Sequence, residues 1–292
     1  MEGSGTEQER GALPNLIIIG AMKCGTSSLH RYLDLHPEIA MSALKEPNFF
    51  IDPDATWTNW GRGLDWYRSL FDPSVPVRGE ASVNYTSRPF TNGVAERMAA
   101  TLPDVRLIYM VRDPIERAIS HYLHARAAGR EEEPIEVALA DFESRFVRRG
   151  MYMTQLEPFL DAFGPDRIHI ETQERLLADR EGTLRRVFAF LGVDESFTSP
   201  EFERMWEVTA GKTRKFTIAY RLSRRFGGAD RWGTLPPRLR WLGERIAFHP
   251  TGGGVERPAI SDELRARLRE LYAPEAERLR ELSGLPLEGW SV

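Results

Sequence analysis

The segment Gly20–Ser28, GAMKCGTSS, gathers the residue types that hold a phosphate. Gly20 and Gly25 allow a tight turn and a close approach of backbone to an anion. Thr26, Ser27 and Ser28 supply hydroxyl donors, and Lys23 supplies a compact positive charge. A loop of this kind that leads into a helix also presents unsatisfied backbone N–H groups, which bind phosphate. The spacing nearly matches the G-x-x-x-x-G-K-[ST] loop of nucleoside triphosphatases and kinases. Gly20, Gly25 and Ser27 are in place, but Thr26 stands where that pattern has lysine, and Lys23 lies three residues earlier. The departure weighs against ordinary ATP or GTP chemistry. The plain alternative is a strand-to-helix turn with incidental polar residues.

Three further groups carry chemistry. Lys45-Glu46 precedes the pair Phe49-Phe50 and offers a carboxylate beside an ammonium. Arg112 follows a strongly apolar run, and a guanidinium at the carboxyl end of a buried strand suits a phosphate. Ser120 lies about two helical turns beyond Pro114 by the usual 3.6-residue repeat. The bland readings are an Arg112–carboxylate pair and a small packing serine. His121 and His124 have the i, i+3 spacing of a metal pair, but no further ligands cluster with them, so no metal site is expected.

These residues need a scaffold. Asn15–Gly20 and Val105–Val111 are continuous β-branched or apolar runs that fit strands buried on both faces. Val75–Ser82 is a weaker strand and Arg167–Glu171 a further one. Helical patterns cover Thr26–His36, Thr91–Leu102, the stretch after Asp113-Pro114, Met151–Phe163 and Arg180–Leu191. Asp113 is a good N-cap, with Pro114 at the first helical position. Alternating strands and helices predict an α/β fold with a parallel sheet covered on both faces. The segment 201–250 changes character, with scattered Trp, Gly and Pro and no clear strand; it reads as an irregular cover over an acceptor. Ser261–Leu282 returns to a helical pattern with Leu264, Leu268, Leu271, Leu279 and Leu282 on one face, and Pro274 is expected to kink or divide it.

Composition bounds the rest. The 292 residues carry a formal net charge of −4, so bulk charge points to no nucleic-acid partner. One cysteine, Cys24, permits no intrachain disulfide. Residues 1–13 read as a disordered lead-in without the apolar core of a secretory signal, which together suggests a cytoplasmic protein with one domain over 14–292. Of 39 basic residues only Lys23, Lys45, Lys212 and Lys215 are lysines. Two of the four therefore sit inside the motifs above. Residues 216–248 interleave seven arginines with aromatic and aliphatic side chains. That pattern suggests weak contact with an anionic membrane surface, against the plainer reading of a packed lid with a solvated basic face.

Five motifs in order resemble those of the sulfotransferases that use 3′-phosphoadenosine-5′-phosphosulfate (PAPS), in particular the heparan sulfate group and its bacterial relatives. They are IIIGAMKCGTSSL, Lys45-Glu46-Pro47-Asn48-Phe49-Phe50, Gly79-Glu80-Ala81-Ser82-Val83-Asn84-Tyr85, YMVRDPIERAISHY and Arg149-Gly150-Met151-Tyr152-Met153-Thr154-Gln155-Leu156. The resemblance implies a P-loop-like sulfotransferase fold with a central five-stranded parallel sheet. It implies that Lys23, Cys24, Gly25, Thr26, Ser27 and Ser28 hold the 5′-phosphosulfate and that Arg112 and Ser120 bind the 3′-phosphate. Tyr152 and Arg257 are further nucleotide contacts by the same analogy. Glu46 is implied as general base, with His121 as runner-up, Lys23 as the charge on the leaving phosphate and Lys45 beside the transferring group. PAPS is then a co-substrate, no metal is needed, and the partner is an acceptor: a glycan, a lipid-linked compound or a small molecule. Ala81 and Val83 replace the lysine and proline of the heparan enzymes, which weakens any transfer of heparan specificity. A P-loop kinase or NTPase and a non-catalytic nucleotide-binding protein are the alternatives.

Overall fold

A computed structural model describes residues 11–204 and 257–292. The expectations for the acceptor cover beyond Arg204 and for membrane contact through 216–248 fall outside the described residues. Among the described residues no helix is long and apolar enough to cross a membrane.

The elements are β1 (Leu16–Gly20), α1 (Thr26–Leu33), β2 (Ile39–Met41), α2 (Gly63–Arg68), β3 (Val77–Ala81), α3 (Val94–Thr101), β4 (Arg106–Val111) and α4 (Pro114–Ala127). They continue as α5 (Ile135–Ala140), α6 (Arg145–Arg148), α7 (Tyr152–Phe163), β5 (Ile168–Thr172), α8 (Gln173–Ala178), α9 (Arg180–Leu191) and α10 (Asp262–Ser283). The strands form one sheet in the order β2-β3-β1-β4-β5, and every pairing is parallel. Each residue of β1 is buried, as the uninterrupted apolar run requires. The chain leaves β1 toward β2 and β3 on one side and later fills β4 and β5 on the other. Strand order therefore reverses at β1, and in open α/β sheets the ligand crevice opens at the carboxyl ends beside such a reversal. The loop Gly20–Ser28 leaves β1 at that point.

Two apolar clusters hold the frame. The larger surrounds the sheet; the smaller lies between α4, α5, α6 and α10, around Ile115, Ile119, Phe146 and Leu268. Each fully buried aliphatic side chain there contributes about 1.5–3 kcal/mol. α10 also reaches across the molecule through a charge. Glu275 accepts from the backbone N–H of Met153 (2.7 Å) and Thr154 (3.0 Å) and from the Thr154 hydroxyl (2.9 Å). It thereby caps α7, whose own N-cap Met151 supplies no side-chain bond.

Three expectations need correction. Pro274 does not divide the last helix: α10 runs unbroken over 22 residues. Pro274 and Glu270 are both exposed, so water can satisfy the carbonyl that the ring leaves without a donor. The buried stripe past Pro274 is Glu275, Ala276 and Leu279, while Leu282 is exposed. The end of the expected lead-in belongs to the fold, since Leu13 packs on the core and its carbonyl accepts from Arg78 Nε at 3.1 Å. Within the aromatic stretch Trp57–Tyr67 the rings divide, with Trp57 exposed and Tyr67 buried. Tyr67 stacks on Phe49 at 4.2 Å, and Trp60 and Trp66 pack on the same ring.

Candidate active site

The loop after β1 is shaped by close contacts. A Cβ on Gly20 would lie 2.0 Å from Thr86 Oγ1, whose hydroxyl donates to the Ile19 carbonyl. Gly25 has φ +86° and is the N-cap of α1. Among the described residues no side chain caps α1, and the Ser28 N–H returns to the Gly25 carbonyl at 3.0 Å. Cys24 is wholly buried beneath the loop, 3.6 Å from the Tyr152 hydroxyl, and burial pushes its thiol up to about 11. Its contribution is thus packing and backbone, with no thiolate chemistry. Tyr152, itself 1% exposed, accepts from Arg112 N–H (3.3 Å) and donates to the Arg112 carbonyl (2.6 Å). It is a strut that ties the Gly20–Ser28 loop to the end of β4.

The second wall is the segment 45–50. Lys45 donates to the Ser27 hydroxyl, which brings the lysine-glutamate motif onto the Gly20–Ser28 loop. Glu46 N–H donates to the Ala81 carbonyl at 3.2 Å. Lys23, Glu46 and Asn48 all have left-handed backbone, with φ 74°, 57° and 51°. Such conformations in non-glycine residues are uncommon and concentrate at functional sites. Behind this wall stands Glu80, fully buried in β3. It accepts hydrogen bonds from Tyr67 (2.9 Å), Tyr85 (2.7 Å) and Ser82 (2.6 Å). Ser82 Oγ in turn accepts from Asn48 N–H, and Tyr85 Oη from Phe49 N–H. One buried carboxylate therefore fixes the backbone just past Glu46.

Burial pushes the Glu80 carboxyl up to about 7, against the three hydroxyl donors that lower it. The folded chain thus holds this proton more tightly than the unfolded chain. Its contribution to stability is present at low pH and is lost as pH rises from the ordinary carboxyl range to about 7. The loss is up to about 3 kcal/mol. The expected result is that denaturation midpoints of the unmodified protein fall more steeply between pH 5 and 8 than those of Glu80→Gln. Equal slopes would contradict it.

The third wall comes from β4, α4 and α6. Arg112 leaves β4 with its side chain 24% exposed, and Nη2 lies 3.9 Å from Glu116. Arg257 meets the same Glu116 carboxylate. The two arginines expected at the nucleotide thus converge on one acidic residue in the first turn of α4. Ser120 is buried on that helix. Asp113 is occupied as a cap: Glu116 N–H reaches one oxygen at 2.9 Å and Ser291 N–H the other.

Arg149 had no role assigned from the sequence. It is 9% exposed and sits against Ser87, Asn84 and Met22, the residue before Lys23. Burial and the neighbouring Arg117 and Arg145 push its guanidinium down to about 9, while Glu46 opposes the shift. The coupling puts Arg149 near Glu46. The signal was present, since Arg149 opens the last motif, but only the packing shows that it points inward. His121, the runner-up base, is buried with its ring 4.8 Å from Phe146, and burial beside Arg117 and Arg149 holds it well below the usual histidine range. Among the described residues no cluster of three or more metal-ligating side chains occurs.

The comparisons agree with this architecture. A family model of the sulfotransferase domain matches residues 13–220. Human heparan sulfate glucosamine 3-O-sulfotransferase 3B1 is 30% identical over 298 residues, spanning 99% of this chain and 66% of that protein. Its mouse counterpart is 33% identical over 210 residues, 68% of this chain and 50% of that protein. The chain spans about half to two thirds of the length of these relatives. Among solved structures, a sulfotransferase from Alicyclobacillus acidocaldarius superposes with a TM-score of 0.68 at 28% identity, covering 96% of this chain and all of that one. Mouse sulfotransferase SULT7A1 complexed with PAP shares the fold, with a TM-score of 0.50 at 14% identity and coverage of 95% and 91%.

Proposed function

The chain belongs to the sulfotransferase family, and from that premise we propose that it moves a sulfuryl group from PAPS to a hydroxyl, or an amine, of an acceptor. The observation that carries the reading is the convergence of Lys23, Lys45 and the buried Arg149 on one loop that opens a helix. A buried guanidinium without a carboxylate at ion-pair distance among the described residues is costly unless an anion completes it.

In the proposed step the acceptor oxygen attacks sulfur in line. The bond from sulfur to the bridging oxygen breaks, its electron pair passes to the 5′-phosphate, and the acceptor proton passes to the Glu46 carboxylate. PAP and a sulfate ester leave. Lys23 meets the charge that grows on the phosphate. Lys45, held by Ser27, borders the transferring group. Tyr152 fits the role of strut for the nucleotide wall, and Arg112, Ser120 and Arg257 the 3′-phosphate. The acceptor is a glycan, a lipid-linked compound or a small molecule. Ala81 is 2% exposed and Val83 4% exposed, so these positions present no charge to a polyanionic chain.

The test compares nucleotides. PAP is expected to raise the melting temperature by linkage, and adenosine 5′-phosphosulfate, which lacks the 3′-phosphate, to bind much more weakly. Arg112→Ala is expected to erase most of that difference. Equal binding of the two nucleotides by the unmodified protein would refute the placing of the 3′-phosphate on Arg112 and Ser120.

A further inference from the structure

Arg117 is the largest wholly buried side chain among the described residues, at 0% exposure. It stands on α4 five residues past Arg112. Its Nη2 donates to the Phe146 carbonyl and its side chain reaches the Tyr272 hydroxyl, while among the described residues Nε and Nη1 have no well-formed hydrogen bond and no carboxylate pairs with it. The carboxylates nearby are engaged elsewhere, save for one buried Glu174 oxygen that itself has no hydrogen-bond partner among the described residues. Asp113 caps α4 and holds Ser291, Glu275 caps α7, and one Glu174 oxygen accepts from Asp113 N–H at 3.0 Å. The charge of Arg117 is felt by Cys24 in the phosphate loop and by Tyr109 and Tyr152 beneath it.

A methionine of similar reach would fill this space without the desolvation of a cation. A fixed charge kept in such a place acts over distance, because a dry interior screens it little. The only polyanion that the proposed reaction brings to this wall is the donor. We infer that Arg117 is a positioning residue for the donor: its buried charge, unpaired with any carboxylate among the described residues, is balanced, through the Cys24 loop, by the phosphates of the bound nucleotide. The inference rests on the PAPS reading above. It separates two things that usually go together, since Arg117 then costs the free protein stability and contributes to the complex.

The experiment measures PAP affinity by calorimetry, the melting temperature of the free protein, and the separate KM values for PAPS and acceptor. Arg117→Met is expected to melt at or above the temperature of the unmodified protein, to bind PAP at least tenfold more weakly, and to raise KM for PAPS while the acceptor KM stays. Arg117→Lys, which keeps the charge, is expected to recover most of the affinity. If Arg117→Met proves unfolded, Arg117→Lys and Arg117→Gln are compared, and a tenfold split in PAP affinity is expected. Unchanged PAP affinity in Arg117→Met, or equal affinity of Arg117→Lys and Arg117→Gln, overturns the inference and leaves Arg117 a structural residue. Absence of PAP binding by the unmodified protein would instead overturn the donor reading, and this inference with it.

Discussion

Replacing Glu46 by glutamine is expected to slow transfer by about 10²–10⁴-fold, with PAP affinity changed by no more than about twofold. The amide keeps the shape and the hydrogen-bonding capacity of the side chain but takes no proton. The nucleotide is held from the other walls, by the Lys23 loop and by Arg112, so its affinity has no reason to move. The prediction is specific to Glu46 because the other proton acceptors nearby are sealed. His121 packs against Phe146 and is neutral. Glu80 has no exposed surface and is saturated by three hydroxyl donors. Glu46 alone of the three is partly exposed, and its left-handed backbone is fixed from behind by Ala81 and by the Glu80 network. Single-turnover rates with an identified acceptor check this. A Glu46→Gln protein that transfers at near-normal rate would rule Glu46 out as the base.

Much of this was legible in the residues, and the reasons differ by element. β1 and β4 announce themselves as apolar runs because both faces of a central parallel strand are covered. β2 does not: it is three residues long, too short for any period to emerge. The short helices α2, α5 and α6 were unread for the same reason. The turn Gly20–Ser28 between β1 and α1 was legible because its glycines and hydroxyls are local in sequence. What joins Lys45 to Ser27, or Glu275 to the start of α7, is contact across 18 and 121 or more residues, and no spacing rule reaches that far. Arg117 and Arg149 were visible as motif letters, yet a sequence rich in arginine gives no sign of which ones turn inward. Burial alone separates them from the solvated majority.

Lys23→Ala is expected to act on binding and chemistry together. A charge-assisted hydrogen bond contributes about 1.5–3 kcal/mol, so donor affinity should fall by about 10–150-fold. A group that also meets charge developing in the transition state adds a loss of about 10²–10³ in turnover. The two parts can be told apart by ligand. In PAPS the 5′-phosphate is joined to sulfate as a mixed anhydride and carries one negative charge fewer than the free phosphate of PAP. The transition state moves from the first toward the second as the bond to sulfur breaks. Lys23→Ala should therefore weaken PAP more than PAPS, and the drop in turnover should follow the PAP loss, as expected of an interaction stronger in the transition state than in the ground state. The backbone supplies a control. Lys23 has φ 74°, a conformation that glycine adopts freely, so Lys23→Gly removes the charge while relieving the turn. Lys23→Gly and Lys23→Ala should lose PAP affinity alike if charge is the cause. A Lys23→Gly protein that binds PAP as well as the unmodified one would show that the ammonium does not meet the phosphate.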